Sequence, residues 1–459
     1  MNKIKAMMIL GLIFALIATM VIIPGCKTTT AAETTTAAET TTAATTAAET
    51  TTAAAATTEK PLEKKFEGTT ITIQFHFNPD EGTSPREMAL KEIITDFENE
   101  TGITVETIQF PWSDLTAQLI LSVQAGNPPD IAWVNNDPFP QVVEADAVMP
   151  LDSYVTNDYD ETTIKDFIHW DKFGVVDGKK YGCNTNLTGQ AFYIRKDLLD
   201  KAGLESPKTW QEFIEVGKAL KSDEITPYLI GASTAMLNQV SFLQPMIEGR
   251  GGKILDDDGM AVFDSQAGIE TYEFLKSLVY EYKIMPASVI TTKYDDVSDS
   301  FKAGKIAMVQ TGADRYSTIA ESLGAENFEL ARIPGIEEGK SSPTPLSCWM
   351  MTIPKGAKNP DAAWEFIKYY SSAVVNQKYI NISGELPIRY SVSPENATQK
   401  WFMEYIADNS TKNISSATFD KLNEFLAVAI HRTLESPDSN VKNILESAAK
   451  EYNDIVGKK

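Results

Sequence analysis

The chain has 459 residues, 43% of them hydrophobic and 23% charged, which suits two or three soluble globular domains. Asp and Glu number 63 against 41 Lys and Arg, and this formal net charge of −22 argues against nucleic acid and against broad adhesion to anionic lipid, since both attract cationic surfaces. Three Cys and three His are too few for a disulfide scaffold or a Cys/His zinc cluster, so we expect no metal and no cofactor.

The first 25 residues have the pattern of an export signal. Lys3 and Lys5 precede an apolar run over residues 6–23, and a Pro-Gly-Cys tripeptide ends at Cys26. This ending resembles a bacterial lipobox, in which the Cys becomes the lipidated first residue of the mature protein. The alternative is an uncleaved anchor helix, because the apolar run is about long enough to span a bilayer. Both interpretations predict a protein held at the cell membrane, on its extracytoplasmic face, with residues 1–25 as the signal segment.

Residues 26–65 have the composition of a disordered tether. Positions 27–58 are almost entirely Thr, Ala and Glu in repeats of AAETTT, and none of these residue types can nucleate a core. Such a coil spans roughly 35 Å on average. We therefore expect it to hold a globular body away from the membrane.

From residue 66 onward, predicted strands alternate with predicted helices. Apolar periodicity indicates strands over 70–77, 103–110 and 130–134, with helices over 85–101 and 113–125 between them. This alternation is typical of an α/β sheet with helices on both faces. In such sheets, ligands bind beyond the carboxyl ends of the strands, so the loops that follow these strands are the first candidates for a site.

The same patterns continue along the chain. Further strands are predicted over 189–194 and 346–353, and further helices over 196–202, 266–282, 360–371, 399–408 and 417–435. Thr209 and Glu212 have the spacing of a capping box that opens another helix. Cys183 and Cys348 could pair in an oxidising compartment or remain free buried thiols, and the sequence leaves both alternatives open.

Several short motifs, each present once, follow one another along the chain. They are FENETGITV at 97–105 with Pro-Trp at 111–112, AGNPPDI at 125–131, MPLDSY at 149–154, GKKYG at 178–182, YIRKDLL at 193–199, PKTW at 207–210, FKAGKIAM at 301–308 and AAWEF at 362–366. Each is weak alone. In this order and behind a lipobox, they resemble family 1 extracellular solute-binding proteins, the sugar-binding receptors of ABC importers, over about residues 68–456.

The resemblance implies an α/β, periplasmic-binding-protein-like fold with two lobes, a hinge and a ligand cleft between them. The hinge crossings would fall near 184–188, 347–352 and 408–414. The implied lobes are 66–185 plus 352–409 for lobe 1 and 188–347 plus 414–457 for lobe 2. The family also implies a monomer that binds a mono- or oligosaccharide without catalysis and delivers it to the permease subunits of an ABC transporter.

A sugar presents hydroxyl groups on its rim and C–H groups on its faces, so its receptor needs aromatic rings together with carboxylates, amides and Arg. Residues of these types follow the predicted strands or match cleft positions of the family. The candidate ligand-binding residues are His76, Asn78, Asn135, Asn136, Asp137, Gln239, Phe242, Asp314, Arg315, Trp349 and Arg389.

These candidates have structural alternatives. Asn and Asp after strands often make turns or cap helices. Asp314 and Arg315 could simply pair with each other at the surface. Trp112 and Trp210 stand in helix-start motifs and Trp133 lies inside a strand, so we interpret all three as packing residues.

Other functions stay open on the sequence alone. The same fold could serve a receptor for glycerol phosphate or a polyamine, or a chemosensory binding protein. An extracellular glycoside hydrolase needs two placed carboxylates, and no motif singles out such a pair. The sequence contains neither HExxH nor GxxxxGK[ST], which argues against a zinc hydrolase and an ATPase. The candidate loops mix Asn, Gln, Asp and Arg, as a neutral polyol would favour.

Overall fold

The structure, a computed structural model, describes residues 64–235 and 238–457, which all fall in one unit of the chain. The predicted signal segment, the lipidation site Cys26 and nearly all of the predicted tether lie outside the described residues. Among the residues that are described, no helix is long and apolar enough to cross a membrane.

The strands and helices alternate through most of the chain. The strands are Thr70–Phe75 (β1), Thr104–Gln109 (β2), Ile131–Asn135 (β3), Val175–Val176 (β4), Lys179–Lys180 (β5), Cys183–Thr188 (β6), Gln190–Ile194 (β7), Thr226–Tyr228 (β8), Ile306–Gly312 (β9), Glu329–Ala331 (β10), Thr344–Thr352 (β11) and Ser410–Lys412 (β12). The helices are Pro85–Thr101 (α1), Leu115–Gln124 (α2), Phe139–Glu144 (α3), Asp152–Asp158 (α4), Glu161–Asp166 (α5), Lys196–Ala202 (α6), Trp210–Leu220 (α7), Gln239–Glu248 (α8), Gln266–Tyr280 (α9), Tyr294–Lys302 (α10), Tyr316–Leu323 (α11), Pro360–Ser371 (α12), Ala373–Ser383 (α13), Ala397–Asn409 (α14), Phe419–Leu434 (α15) and Val441–Val456 (α16).

The first sheet has the strand order β12-β11-β3-β1-β2, with β6 also paired to β11. β1 runs parallel to both β2 and β3, and its residues Ile71, Ile73 and Phe75 are fully buried. Ser84 caps the N-terminus of α1, and its capping box with Glu87 satisfies free N–H groups of the first turn. The buried apolar strand and the capped helix together direct the loop between them toward the carboxyl end of the sheet.

The second sheet has the order β10-β7-β9-β8. Residues of β7 alternate between two hydrophobic cores, because successive side chains of a strand point to opposite faces. Phe192 and Ile194 join the core that contains α7, α8, α9, α15 and α16, whereas Ala191 and Tyr193 join the core that also contains the first sheet. The second sheet is therefore covered on both faces.

The chain passes between the first sheet and the second sheet or its helices at three places that lie side by side. β6 of the first sheet leads directly into β7 of the second, β10 leads back into β11, and β12 leads into α15. β6 and β12 both pair with β11. We call β6, β11 and β12 the crossing strands. Their residue ranges overlap those of the three predicted hinge crossings, and both the hinge and the lobe boundaries stay a prediction.

The sequence patterns predicted most of the longer elements. The helices 85–101, 196–202 and 360–371 are confirmed at both ends, and so is the capping box of Thr209 and Glu212. The patterns did not predict several helices, among them α13 and α16. Cys183 and Cys348 are both free and buried.

Candidate ligand-binding cavity

A cavity of about 520 Å³ lies where strands of both sheets end. Its wall includes residues that end or follow β1, β3 and β9. It also includes residues in or directly after each of the three crossing strands. Its volume falls within the range of roughly 300–1,000 Å³ that is typical of small-molecule sites. The fold thus brings loops from distant parts of the chain to one concave surface.

The predicted site residues divide into two groups by position. Six of them line the cavity: His76, Asn135, Asp137, Asp314, Arg315 and Trp349. The other five lie elsewhere: Asn78, Asn136, Gln239, Phe242 and Arg389.

Two of the five make local structural contacts close to the predicted loops. Asn78 accepts from the backbone N–H of Asp80 at 3.2 Å and donates to Glu81 at 2.9 Å, so it stabilises a turn. Asn136 is buried, and its Oδ1 accepts from the backbone N–H of Gly174 at 3.3 Å. These are the turn and packing roles that Asn commonly takes after a strand.

The remaining three do not line the cavity. Gln239 is fully buried and donates to backbone carbonyl groups within its own segment. Phe242 lines a smaller pocket of about 20 Å³, whose wall shares Gln190, Asn238, Ser241 and Tyr294 with the cavity. Arg389 is buried, donates to the Ser371 carbonyl at 2.8 Å and lies 3.7 Å from the ring centroid of Phe167. We therefore no longer propose these three as ligand contacts.

Asp137 forms a buried junction between crossing segments. Ser347 on β11 donates to its Oδ1 at 2.7 Å, and Asn413, directly after β12, donates to its Oδ2 at 2.6 Å. Its own backbone N–H donates to Asn135 Oδ1 at 2.9 Å. Burial raises the pKa of Asp137 to about 7, although these donors and nearby Lys412 oppose the shift. Both carboxyl oxygens are thus already engaged, and the group ties two crossing segments to the end of β3.

Aromatic rings cluster beside this junction. The rings of His76 and Trp349 stack with their centroids 4.8 Å apart, and Trp133 meets Trp349 edge-on behind them. Trp133 is fully buried, as its place inside a strand indicated. Burial, with Arg86 and Arg315 nearby, lowers the pKa of His76 well below its ordinary value, so this ring is neutral at pH 7. Asp137, Asn135, Ser347, Asn413, His76 and Trp349 make up what we call the crossing side of the cavity.

Acidic and basic side chains alternate in a row that differs in chemistry from the crossing side. Arg86 lies 3.2 Å from Glu385 and 3.8 Å from Asp314, measured between side-chain N and O atoms. Arg315 lies 3.4 Å from Asp314 and 2.7 Å from Asp295. Each guanidinium group therefore stands between two carboxylates. We call these five residues the charged side of the cavity.

The charged side and the residues that contact it include side chains that the sequence analysis missed or interpreted as packing. Arg86 lines the cavity as the second residue of α1, two positions beyond the predicted loop 78–84. Trp112, interpreted from sequence as packing, also lines the cavity and donates through Nε1 to Asp295 at 3.3 Å. Tyr294 lies under Arg315, whose guanidinium carbon is 5.5 Å from the ring centroid. The Pro-Trp motif that ends at Trp112 was the one sequence signal that could have indicated its role.

Some buried polar atoms of the cavity wall have no hydrogen-bond partner among the described residues. They include His76 Nδ1, Gln141 Oε1 and Asn413 Oδ1. An unpaired buried polar atom costs roughly 1–3 kcal/mol unless a rearrangement of the site or a bound solute supplies the missing partner. Within 64–235 and 238–457, no group of three or more His, Cys, Asp and Glu is placed to hold a metal ion. The wall is thus arranged for hydrogen bonding and ring contact.

Comparison with known proteins gives a consistent result. Residues 81–377 match the family model described as bacterial extracellular solute-binding protein. The chain is 23% identical to the arabinooligosaccharide-binding protein of Halalkalibacterium halodurans, over 74% of this chain and 79% of that one. It is 22% identical to the galactooligosaccharide-binding protein of Bacillus subtilis, over 68% and 72%. A solute-binding protein of an ABC transporter from Thermotoga lettingae, solved with α-D-tagatose, superposes with a TM-score of 0.74 at 22% identity, over 85% of this chain and all of that one.

Proposed function

Because this chain belongs to the family of bacterial extracellular solute-binding proteins, we propose that it is the extracytoplasmic receptor of an ABC importer and that it captures a neutral carbohydrate. The proposed site is the cavity between the crossing side and the charged side. The proposed outcome of binding is delivery of the solute to membrane permease subunits, with no bond made or broken.

The observation that carries this proposal is the chemistry of the cavity wall. Aromatic rings at Trp349 and Trp112 offer apolar faces, and the polar groups around them include unpaired hydrogen-bonding atoms. The guanidinium groups of Arg86 and Arg315 are already neutralised by carboxylates of the protein. A phosphate ligand would need free positive charge, and a polyamine would need free negative charge. A hydroxyl-rich, uncharged solute satisfies this wall best.

The relatives support the same class of ligand. Two of them are named for arabinooligosaccharides and galactooligosaccharides, and the superposed structure holds α-D-tagatose. These names differ in the sugar, so the proposal extends to the carbohydrate class and to mono- or oligosaccharides of a size that fits about 520 Å³.

We also propose that the two sheets with their helices act as lobes that close on the ligand by bending at the crossing strands. Hinge motion of this kind needs a few adjacent segments that absorb the rotation, and three such segments lie side by side in β6, β11 and β12. The ligand favours the closed form only by its higher affinity for that form.

Attachment to the membrane through a lipid on Cys26 completes the proposal. Its support is the lipobox-like ending of the apolar segment. In cells, Cys26→Ser is expected to move the protein from the membrane fraction to a soluble fraction. Retention of the variant in membranes would favour the alternative of an anchor helix.

The direct test of the ligand class is a thermal-shift screen of the purified full chain. Neutral mono- and oligosaccharides, glycerol 3-phosphate, spermidine and amino acids are compared at equal concentrations. The proposal predicts a rise in melting temperature with at least one neutral saccharide. A rise only with a charged solute, or chemical turnover of any sugar, would contradict it.

A further inference from the structure

The central carboxylate of the charged side occupies an unusual position. Asp314 lies between two guanidinium groups, 3.8 Å from Arg86 and 3.4 Å from Arg315. Each Arg also has a second carboxylate partner on its outer side, Glu385 for Arg86 and Asp295 for Arg315. Of these five side chains, the two Arg and Asp314 line the cavity, whereas the two outer acids do not.

The surrounding chain leaves room for this carboxylate. A Cβ atom at Gly312 would come within 2.0 Å of Asp314 Oδ1, so only glycine permits this placement of the side chain. The carbonyl of Gly312 is fixed by the hydroxyl group of Tyr193, which donates to it at 2.9 Å. The turn after β9 thus holds the Asp314 carboxylate against the two Arg side chains.

Two guanidinium groups flank one carboxylate here at ion-pair distances, and paired arginines are a common means by which proteins attract an acidic ligand. Here the anion belongs to the protein. We propose that Asp314 is a specificity-determining residue: its carboxylate fills a two-arginine anion site from within and makes the cavity reject acidic solutes such as uronic acids. The outer acids keep each Arg paired, so an incoming carboxylate meets a net negative row instead of a free cation.

This inference deepens the proposed function and rests on it for the claim about sugars. The existence of the two-arginine anion site can be tested without any sugar. In Asp314→Ala, the space between Arg86 and Arg315 is vacated, and a small carboxylate from solution can take the place of the lost one.

The first experiment measures the melting temperature of the full chain in sodium acetate and in sodium chloride at equal ionic strength. For Asp314→Ala, we expect acetate to raise the melting temperature above the chloride value by about 2 °C or more, because acetate binds the folded form. The native chain is expected to show no such preference. If Asp314→Ala does not fold in chloride, the same comparison is made on its refolding yield.

Two variants serve as controls. Asp197 pairs with a single arginine, Arg195, at 2.6 Å, and it does not line the cavity. Asp197→Ala should therefore show no preference for acetate. Asp314→Asn removes the charge but keeps the volume, so it too should lack the acetate effect. Equal melting temperatures of Asp314→Ala in the two salts, or acetate rescue of Asp197→Ala, would overturn the two-arginine anion site.

The second experiment tests specificity with D-galactose and D-galacturonate, which differ in one carboxylate. The affinity ratio of galacturonate to galactose is expected to rise at least tenfold in Asp314→Ala relative to the native chain. An unchanged ratio, or native binding of galacturonate as tight as that of galactose, would overturn the role of Asp314. If neither sugar binds the native chain, the comparison is repeated with the neutral saccharide identified by the thermal-shift screen and its uronic acid. If acetate rescue succeeds but no neutral saccharide of that screen stabilises the native chain, the proposed ligand class is wrong and the two-arginine site stands.

Discussion

The two sides of the cavity accommodate buried ionisable groups in different ways. On the crossing side, one carboxyl group at Asp137 is surrounded by neutral donors, and its pKa is raised to about 7. On the charged side, three acidic and two basic side chains alternate in a row, and each neighbouring pair is within 4 Å. The crossing side lies on strands that pair in the first sheet, whereas the charged side joins residues that stand near different sheets.

This difference follows from the cost of removing charge from water. A buried charge without a counter-ion either shifts its pKa or is paired. Asp137 has hydroxyl and amide donors as its immediate partners, so its neutral form becomes accessible near pH 7. Arg86 and Arg315 remain charged at all relevant pH values, so the protein must supply carboxylates. The contribution of the crossing side to stability should therefore depend on pH. The contribution of the charged side should depend on whether each charge keeps its partner.

The largest expected effect is the pH dependence that Asp137 confers on stability. Its pKa is about 7 in the folded chain against an ordinary value of 3.8, so the folded state holds a proton that the unfolded state has lost. The free energy of unfolding should then fall as pH rises from about 4 to about 7, by roughly 4 kcal/mol in total from this group, and level off above pH 7. Asp137→Asn should flatten this part of the curve. Denaturant unfolding at several pH values measures the free energy of unfolding of the native chain and of Asp137→Asn. Parallel pH curves for the two proteins would contradict the predicted role of Asp137.

The next effect belongs to the charged side. Arg86→Ala leaves the carboxylate of Glu385, whose side chain is only 3% exposed, without its cationic partner. We expect a loss of roughly 3 kcal/mol in the free energy of unfolding. Lys378→Ala is the matched control, because Lys378 is paired with the more exposed acids Glu92 and Asp96 and should cost at most about 1 kcal/mol. Equal losses from both variants would show that the charged side is an ordinary set of surface ion pairs.

A third prediction concerns ring contact on the crossing side. Trp349→Ala should weaken binding of the sugar identified by the thermal-shift screen at least tenfold, about 1.4 kcal/mol, because it removes an aromatic face from the cavity. The variant should remain folded. Trp401→Ala, a half-buried ring that does not line the cavity, is the control and should leave affinity unchanged. Isothermal titration calorimetry measures the affinity of each variant for the sugar. Unchanged affinity in Trp349→Ala would show that the sugar binds elsewhere.

The smallest effect tests the link that Trp112 makes to the charged side. Trp112→Phe keeps a ring in the cavity but removes the hydrogen bond from Nε1 to Asp295. A loss of about 1 kcal/mol in the free energy of unfolding is expected, with sugar affinity changed less than in Trp349→Ala. A larger loss of affinity in Trp112→Phe than in Trp349→Ala would reverse the assignment of the main aromatic face.

Local sequence patterns were sufficient to predict many of the helices and strands. The capping box at Thr209 and Glu212 and the helix 85–101 with its Pro start and Gly end depend on neighbouring residues alone, and both are confirmed. The helix α13 was missed because its burial depends on packing against α1, which lies far away in the chain. The family resemblance correctly indicated the class of protein and the fold.

The candidate site was predictable only in part. Residues directly at strand ends, such as His76 and Asp137, reach the cavity because the topology of the sheet places all such ends together. Pairings across the chain could not be derived: Asp137 and Asn413 are 276 positions apart, and no local pattern connects them. Arg86 was missed for a related reason, since its role depends on Asp314, after β9, and Glu385, after α13, which are both distant in the chain.

The central claim is that a neutral, hydroxyl-rich solute is trapped between the crossing side and the charged side as the crossing strands bend. Small-angle X-ray scattering of the full chain, with and without the saccharide that gives the largest thermal shift, tests this most directly. The account predicts a smaller radius of gyration at saturating saccharide and no change with glycerol 3-phosphate. Scattering profiles that superimpose in the presence and absence of a bound saccharide would contradict it.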